Sequence, residues 1–239
     1  MDVISTYLGA HDFPPAISKE SYVDLLVEEM IPAAGESGLA TFCDVYCDEG
    51  YYTVAQSRSI LEAGLKASLR AKIHTDAYSD IGGAAMAGEL GAISADHLNY
   101  VSREAVRGLA RAGTVGVVLP ALDFCVAHPH PFDARMMMDE GLTLALATDF
   151  CPACWVESMQ LVMALACRLH RFTPEEALFA ATVGGAKALG LIDRGALAPG
   201  MLADVQLWEI PSFEDVIYRV GNNAVRTVIK RGRVLRFAH

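Results

Sequence analysis

The segment A71-K-I-H-T-D-A-Y-S-D80 sets the reading of this chain. A short apolar run with one lysine stops on His74, and a polar loop starts at once. A strand that delivers an imidazole to its C-terminal end belongs to folds in which chemistry gathers where strands finish and helices have yet to begin. Five more segments fit this description: V3-I-S-T-Y-L8, F42-C-D-V-Y46, A92-I-S-A-D-H97, V115-G-V-V-L119 and L142-T-L-A-L-A147. Each is a short apolar run of the kind expected for strands buried on both faces.

Between them lie stretches with apolar residues at helical spacing. Tyr22–Met30, Ser59–Leu69, Ser102–Ala110 and Glu157–Ala166 are the clearest. T173-P-E-E176 marks another start: Thr173 caps, Pro174 fits the first turn, Glu176 completes a capping box, and Gly190 ends the helix. Alternation of this kind predicts parallel strands joined by right-handed crossovers. From about residue 196 the texture changes. G195-A-L-A-P-G-M-L-A-D-V-Q-L-W208 and A224-V-R-T-V-I-K-R-G-R-V-L235 predict antiparallel strands, the latter folding back at Arg231-Gly232. The expected organisation is a barrel portion over 1–195 and an accessory β-sheet over 196–239.

The chain has 239 residues and a formal charge of −10. An acidic balance argues against nucleic-acid partners, and no apolar run is long enough to span a bilayer. The start M-D-V-I-S-T lacks a secretory pattern, and six scattered cysteines predict reduced thiols in a cytoplasmic protein. Cys151-Pro152-Ala153-Cys154 has no second pair to complete a zinc site and reads as partly buried, coincidental thiols. His128-Pro129-His130 reads as a proline-rich surface loop, the Met136–Met138 run as helix packing, and Arg103, Arg107 and Arg111 as a solvated helix face.

Polar residues recur at strand ends: His11 after L8-G-A, His74 after K72-I, His97 after S94-A-D, and Asp149 after L146-A-T. Parallel strands bring such ends to one rim, and histidine with carboxylate suits zinc or iron.

These segments carry a resemblance. Y7-L-G-A-H-D-F-P14, K72-I-H-T-D76, G91-A-I-S-A-D-H-L98, L144-A-L-A-T-D-F150 and L197-A-P-G-M-L-A-D204 resemble, in order and spacing, the imidazolonepropionase family of metal-dependent amidohydrolases. The resemblance runs from Tyr7 to about Leu235. It implies a (β/α)8 TIM-type barrel, here with about six of its eight units, plus a small accessory sheet. It also implies hydrolysis of imidazolone propanoate to N-formimidoyl-glutamate in histidine degradation, with one divalent zinc or iron ion, and a homodimer. Carried over by position, His74 and Asp149 are metal ligands. His97 polarises the ring carbonyl or steadies the oxyanion, and Asp149 also takes a proton. His11 contacts substrate, and Cys151 occupies a substrate-reading position.

The chain departs from that family in three places. The first-strand His-x-His pair has no counterpart, so the chain reads as a fragment. Ala77 stands where the family has an acid/base glutamate. Cys151 stands where it has a ring-reading asparagine, with Trp155 adding bulk nearby. These departures motivate two rival expectations: an amidohydrolase with a different cyclic amide or amidine substrate, and a catalytically impaired fragment or non-catalytic scaffold.

Overall fold

A computed structural model describes residues 2–235. The chain divides into two compact units, Met1–Val117 with Met136–Thr143, and Val118–Arg135 with Leu144–His239.

In the first unit, strand and helix alternate: β1 (Thr6–Ala10), α1 (Lys19–Leu25), α2 (Ile31–Ser37), β2 (Phe42–Cys47), α3 (Val54–Lys66), β3 (Arg70–Thr75), α4 (Gly83–Leu90), β4 (Ser94–His97), α5 (Arg103–Ala112) and β5 (Val115–Val118). The strands pair in parallel in the order β1-β2-β3-β4-β5. The expected strands are all present, shifted by a few residues at their ends.

Alternation along β2 and β3 separates two surfaces. Cys43, Val45, Ala71 and Ile73 are buried on one of them. Gly64 of α3 lies so close to β2 that a Cβ there would sit 2.6 Å from Cys43 Cβ, so the helix docks on this face through a missing side chain. Burial of each large aliphatic side chain here stabilises the unit by about 1.5–3 kcal/mol. The other face is polar. Lys72 Nζ lies 3.8 Å from Asp96 Oδ2, and Ser94 Oγ donates to Asp96 Oδ1 at 2.7 Å.

The first helical stretch runs further than its sequence period predicts. Leu26–Met30 forms a π-turn between α1 and α2, with the Ile31 amide reaching back to Leu26 O. Pro32 has no amide to donate, and the widened turn carries the chain past it instead of ending the helix at Met30. Arg103 and Arg107 lie on the solvated helix face expected of them. Both bind Glu140, with Arg107 Nε 2.5 Å from Oε2, so they face a specific carboxylate as well as solvent.

In the second unit, α6 (Pro120–Cys125), β6 (Leu144–Leu146), α8 (Met159–His170), α9 (Pro174–Phe179) and α10 (Gly185–Ala188) continue the alternation, while the short α7 (Ala134–Asp139) runs across the boundary of the two units. The Thr173 capping box forms as predicted, and Gly190 takes the left-handed conformation past α10, at φ 63°. Gly184 is tied to β6: a Cβ on it would fall 2.2 Å from Leu144 O. The antiparallel sheet is β7 (Val205–Trp208), β8 (Val225–Lys230) and β9 (Arg233–Leu235), with a short helix α11 (Asp215–Tyr218) between β7 and β8. Arg231 and Gly232 at φ 49° and 76° make the expected tight hairpin, which Asp204 Oδ1 steadies by accepting from Arg231 N at 2.8 Å. Among the described residues no helix is long and apolar enough to cross a membrane.

Candidate metal centre

Parallel register places the strand ends of the first unit side by side. Tyr46 of β2 pairs with His74 of β3, His74 pairs with Asp96 of β4, and Thr75 pairs with His97. His11, one residue beyond β1, joins them: its ring lies 4.4 Å from that of His74, edge to face, and the His74 and His97 rings are 5.3 Å apart. Three of the sequence-predicted site residues therefore gather at one end of one sheet.

The group at their centre is Asp44, a carboxylate in the middle of β2. His74 Nδ1 is 2.9 Å from Asp44 Oδ1, and His11 Nε2 is 3.3 Å from the same oxygen. Asp44 is 2% exposed, against 25% for the His11 side chain and 21% for that of His74. Burial alone drives a carboxyl pKa upward; here the charge of His74 and hydrogen bonds from both imidazoles outweigh it and hold Asp44 well below the usual range. His11, Asp44 and His74 each offer one ligand atom, and these atoms lie within 4.8 Å of one another. Two imidazole nitrogens and a carboxylate oxygen form a borderline donor set suited to zinc or iron.

The loop after β3 is set by a second carboxylate, Asp48. Its Oδ2 accepts from Ala77 N at 2.8 Å and Tyr78 N at 3.0 Å; its Oδ1 accepts from Ser79 Oγ and from Glu49 N. Ala77 is buried there, at 1% exposure. Its neighbour Asp76 turns away from the imidazoles into the packing near α4, where Thr75 Oγ1 donates to Oδ1 at 2.8 Å. Burial pushes Asp76 up to about 7, and its Oδ2 has no hydrogen-bond partner among the described residues.

Left-handed backbone recurs at these strand ends. Asp76, His97 and Leu98 have φ of 54°, 81° and 62°, and Asp149 in the second unit has 47°. Each costs roughly 1–3 kcal/mol in a non-glycine residue, and such strain gathers at functional positions. Asp149 and Cys151 lie beyond β6 in the second unit, and Cys151 opens a turn closed by Cys154, the two exchanging backbone hydrogen bonds of 3.1 and 3.0 Å. Phe150 and Trp155 flank this turn with ring centroids 4.5 Å apart, and Trp155 is 75% exposed. His128 and His130 form a local loop, with His130 N donating to His128 Nδ1 at 3.2 Å.

Asp44 and Asp48 are the residues that reading strand ends misses. A carboxylate inside the otherwise apolar run F42-C-D-V-Y46, on the same face as Tyr46, is the signal that points to Asp44.

Comparison with known proteins supplies the lineage. The model of the amidohydrolase family matches residues 51–235. The chain is 45% identical over 240 residues to imidazolonepropionase of Symbiobacterium thermophilum and 43% identical over 239 residues to that of Geobacillus kaustophilus, matching 98% of this chain and 56% of each relative. It thus spans little more than half the length of the curated relatives it matches. Among solved structures, a zinc-bound adenosine deaminase from Xanthomonas campestris superposes with a TM-score of 0.74 at 20% identity, over 94% of this chain and 58% of that one. A Xaa-Pro dipeptidase gives 0.70 at 18% identity, over 98% and 66%. The likeness to the solved structures shows a shared barrel-type fold, and the family match places the protein: this chain belongs to the amidohydrolase family.

Proposed function

We propose that this chain carries metal-dependent hydrolysis of a cyclic amide C–N bond, with imidazolone propanoate as substrate and N-formimidoyl-glutamate as product. The convergence of His11, Asp44 and His74 on one point carries the reading, and the imidazolonepropionase relatives support the choice of ring. A bound zinc or iron ion would supply hydroxide at neutral pH and positive charge against the developing oxyanion.

The residues divide the remaining tasks. Within the group of His11, Asp44 and His74, His74 would hold the ion. Asp44, buried and anionic, orients the His74 ring by accepting from Nδ1. His97 steadies the ring oxygen as negative charge builds on it. His11 contacts substrate at the open side of the group. The working form is a cytosolic homodimer.

Purified chain supplied with zinc or ferrous iron should convert imidazolone propanoate to N-formimidoyl-glutamate, followed chromatographically. His74→Ala should lose both metal and turnover while keeping its circular dichroism spectrum. Protein that binds neither ion and turns nothing over would end the reading. One observation favours a second reading, an amidohydrolase acting on another cyclic amide or amidine. Ala77 is buried, held through its amide by Asp48, where a glutamate is expected, and Asp76 faces elsewhere. Bound metal without turnover of imidazolone propanoate, but with turnover of a related ring, would select it.

A further inference from the structure

Beside the group of His11, Asp44 and His74 stands a ring to which the proposed hydrolysis gives no task. Tyr46 lies two residues after Asp44 on β2, so both side chains leave the same face of the sheet, and its register partner on β3 is His74. The rings of His11 and His74 are 4.4 Å apart and those of His74 and His97 are 5.3 Å apart. The Tyr46 ring lies 6.3 Å from that of His97 and 6.0 Å from that of His11. The four rings therefore close a four-sided frame, with Tyr46 at the corner opposite His74. The plane of Tyr46 runs at 26° to that of His11 and 31° to that of His97, whereas His11 and His74 meet at 82°.

Tyr46 is held in place by its own strand end. Tyr51 packs against it with ring centroids 4.1 Å apart. Lys19 fixes the loop that carries Tyr51, donating to Gly50 O at 3.1 Å and to Tyr51 O. The Tyr52 amide donates to Tyr46 O at 3.2 Å. Tyr46, His11, His74 and His97 are all half-buried, so the frame is open to a ligand arriving from solvent. Burial, with the charge of Asp48 adding to it, pushes the Tyr46 phenol upward, and the ring stays neutral at physiological pH.

We propose that Tyr46 is a specificity-determining residue of this site: its ring stacks on the substrate ring and selects flat, conjugated cyclic amides or amidines over puckered, saturated ones. The inference rests on the hydrolytic reading of the site for its choice of ring. Aromatic faces pair best when offset and close to parallel. A flat ring laid on Tyr46 runs close to parallel with His11 and His97 as well, so one orientation satisfies all three. A saturated ring, bent at its tetrahedral carbons, meets the same face unevenly and loses that contact.

The test uses the full chain loaded with zinc. Calorimetric titration measures the dissociation constants of planar imidazole propanoate and of saturated pyrrolidinone propanoate. The parent should prefer the planar compound. In Tyr46→Leu that preference should shrink about 2–12-fold, the loss of one aromatic pair. Tyr46→Phe should keep it. Zinc affinity by chelator competition should be equal in all three proteins, a result that a residue merely propping His11 and His97 would not give. A parent that binds neither compound or both alike, a leucine variant that keeps the preference or loses zinc affinity, or a phenylalanine variant that loses the preference would each overturn the assignment. Turnover of imidazolone propanoate is read separately. A parent that selects the planar ring through Tyr46 yet hydrolyses nothing would refute the hydrolytic reading and leave the stacking role standing.

Discussion

Replacing Asp44 by asparagine preserves shape and removes charge. In the native arrangement one oxygen serves two imidazoles, at 2.9 Å from His74 and 3.3 Å from His11. An amide oxygen accepts more weakly than a carboxylate, and a hydrogen bond to a charged group is worth about 1.5–3 kcal/mol. Losing most of the shorter bond, with little from the longer one, removes about 1.5–3 kcal/mol from the orientation of His74. That matches the roughly 10–100-fold loss of affinity that follows when a carboxylate supporting a metal-binding histidine is lost. The assay is zinc binding by chelator competition, with thermal unfolding of the metal-free proteins recorded alongside. Asp44→Asn should bind zinc about 10–100-fold more weakly than the parent, and His74→Ala should bind none at the tight site. An asparagine variant that binds as tightly as the parent, while the His74 variant does not, would refute any part for Asp44 in the centre.

Gly83→Ala puts a Cβ 2.0 Å from Thr75 Oγ1 and 3.0 Å from Cys47 Sγ. Overpacking of about 1–3 kcal/mol, with about 1 kcal/mol for each Thr75 hydrogen bond displaced, should lower Tm by roughly 5–15 °C; an unchanged melting curve would contradict the packing. His170 is buried, stacked on Phe132 at 3.8 Å, and burial holds its pKa below the ordinary value. Below about pH 6.5 the unfolded chain therefore binds the proton more readily, so stability should fall as pH drops through that value, by at most ~1.4 kcal/mol per pH unit. Denaturant titrations of His170→Gln should show a flatter profile between pH 6.5 and 5.5. Ala77→Glu returns a carboxylate to the loop held by Asp48, and turnover of imidazolone propanoate should rise by about 10²–10⁴-fold; unchanged kinetics in a folded variant would remove position 77 from the chemistry.

Much of the fold is legible in the sequence because local signals and tertiary demands agree. The apolar runs around Ile73, Ala95 and Val117 form strands, and Thr173 and Glu176 cap a helix as their spacing predicts. Periodicity fails where backbone geometry intervenes: the π-turn at Leu26–Met30 lets a helix pass Pro32, which every local rule treats as a stop. For the site, His11, His74 and His97 announce themselves because a histidine ending an apolar strand is conspicuous. Asp44 does not, since its significance comes from register with a neighbouring strand. Asp48 is hidden for a related reason, its partners being backbone amides that leave no trace in side-chain identity.

That last arrangement separates architecture from reagent. The Asp48 carboxylate grips the amides of residues 77 and 78, and every amino acid except proline offers one. A lineage can thus exchange what projects from position 77 without rebuilding the strand that presents His74, so a barrel of this kind can lose one chemical tool, or acquire another, while its frame stays as it was.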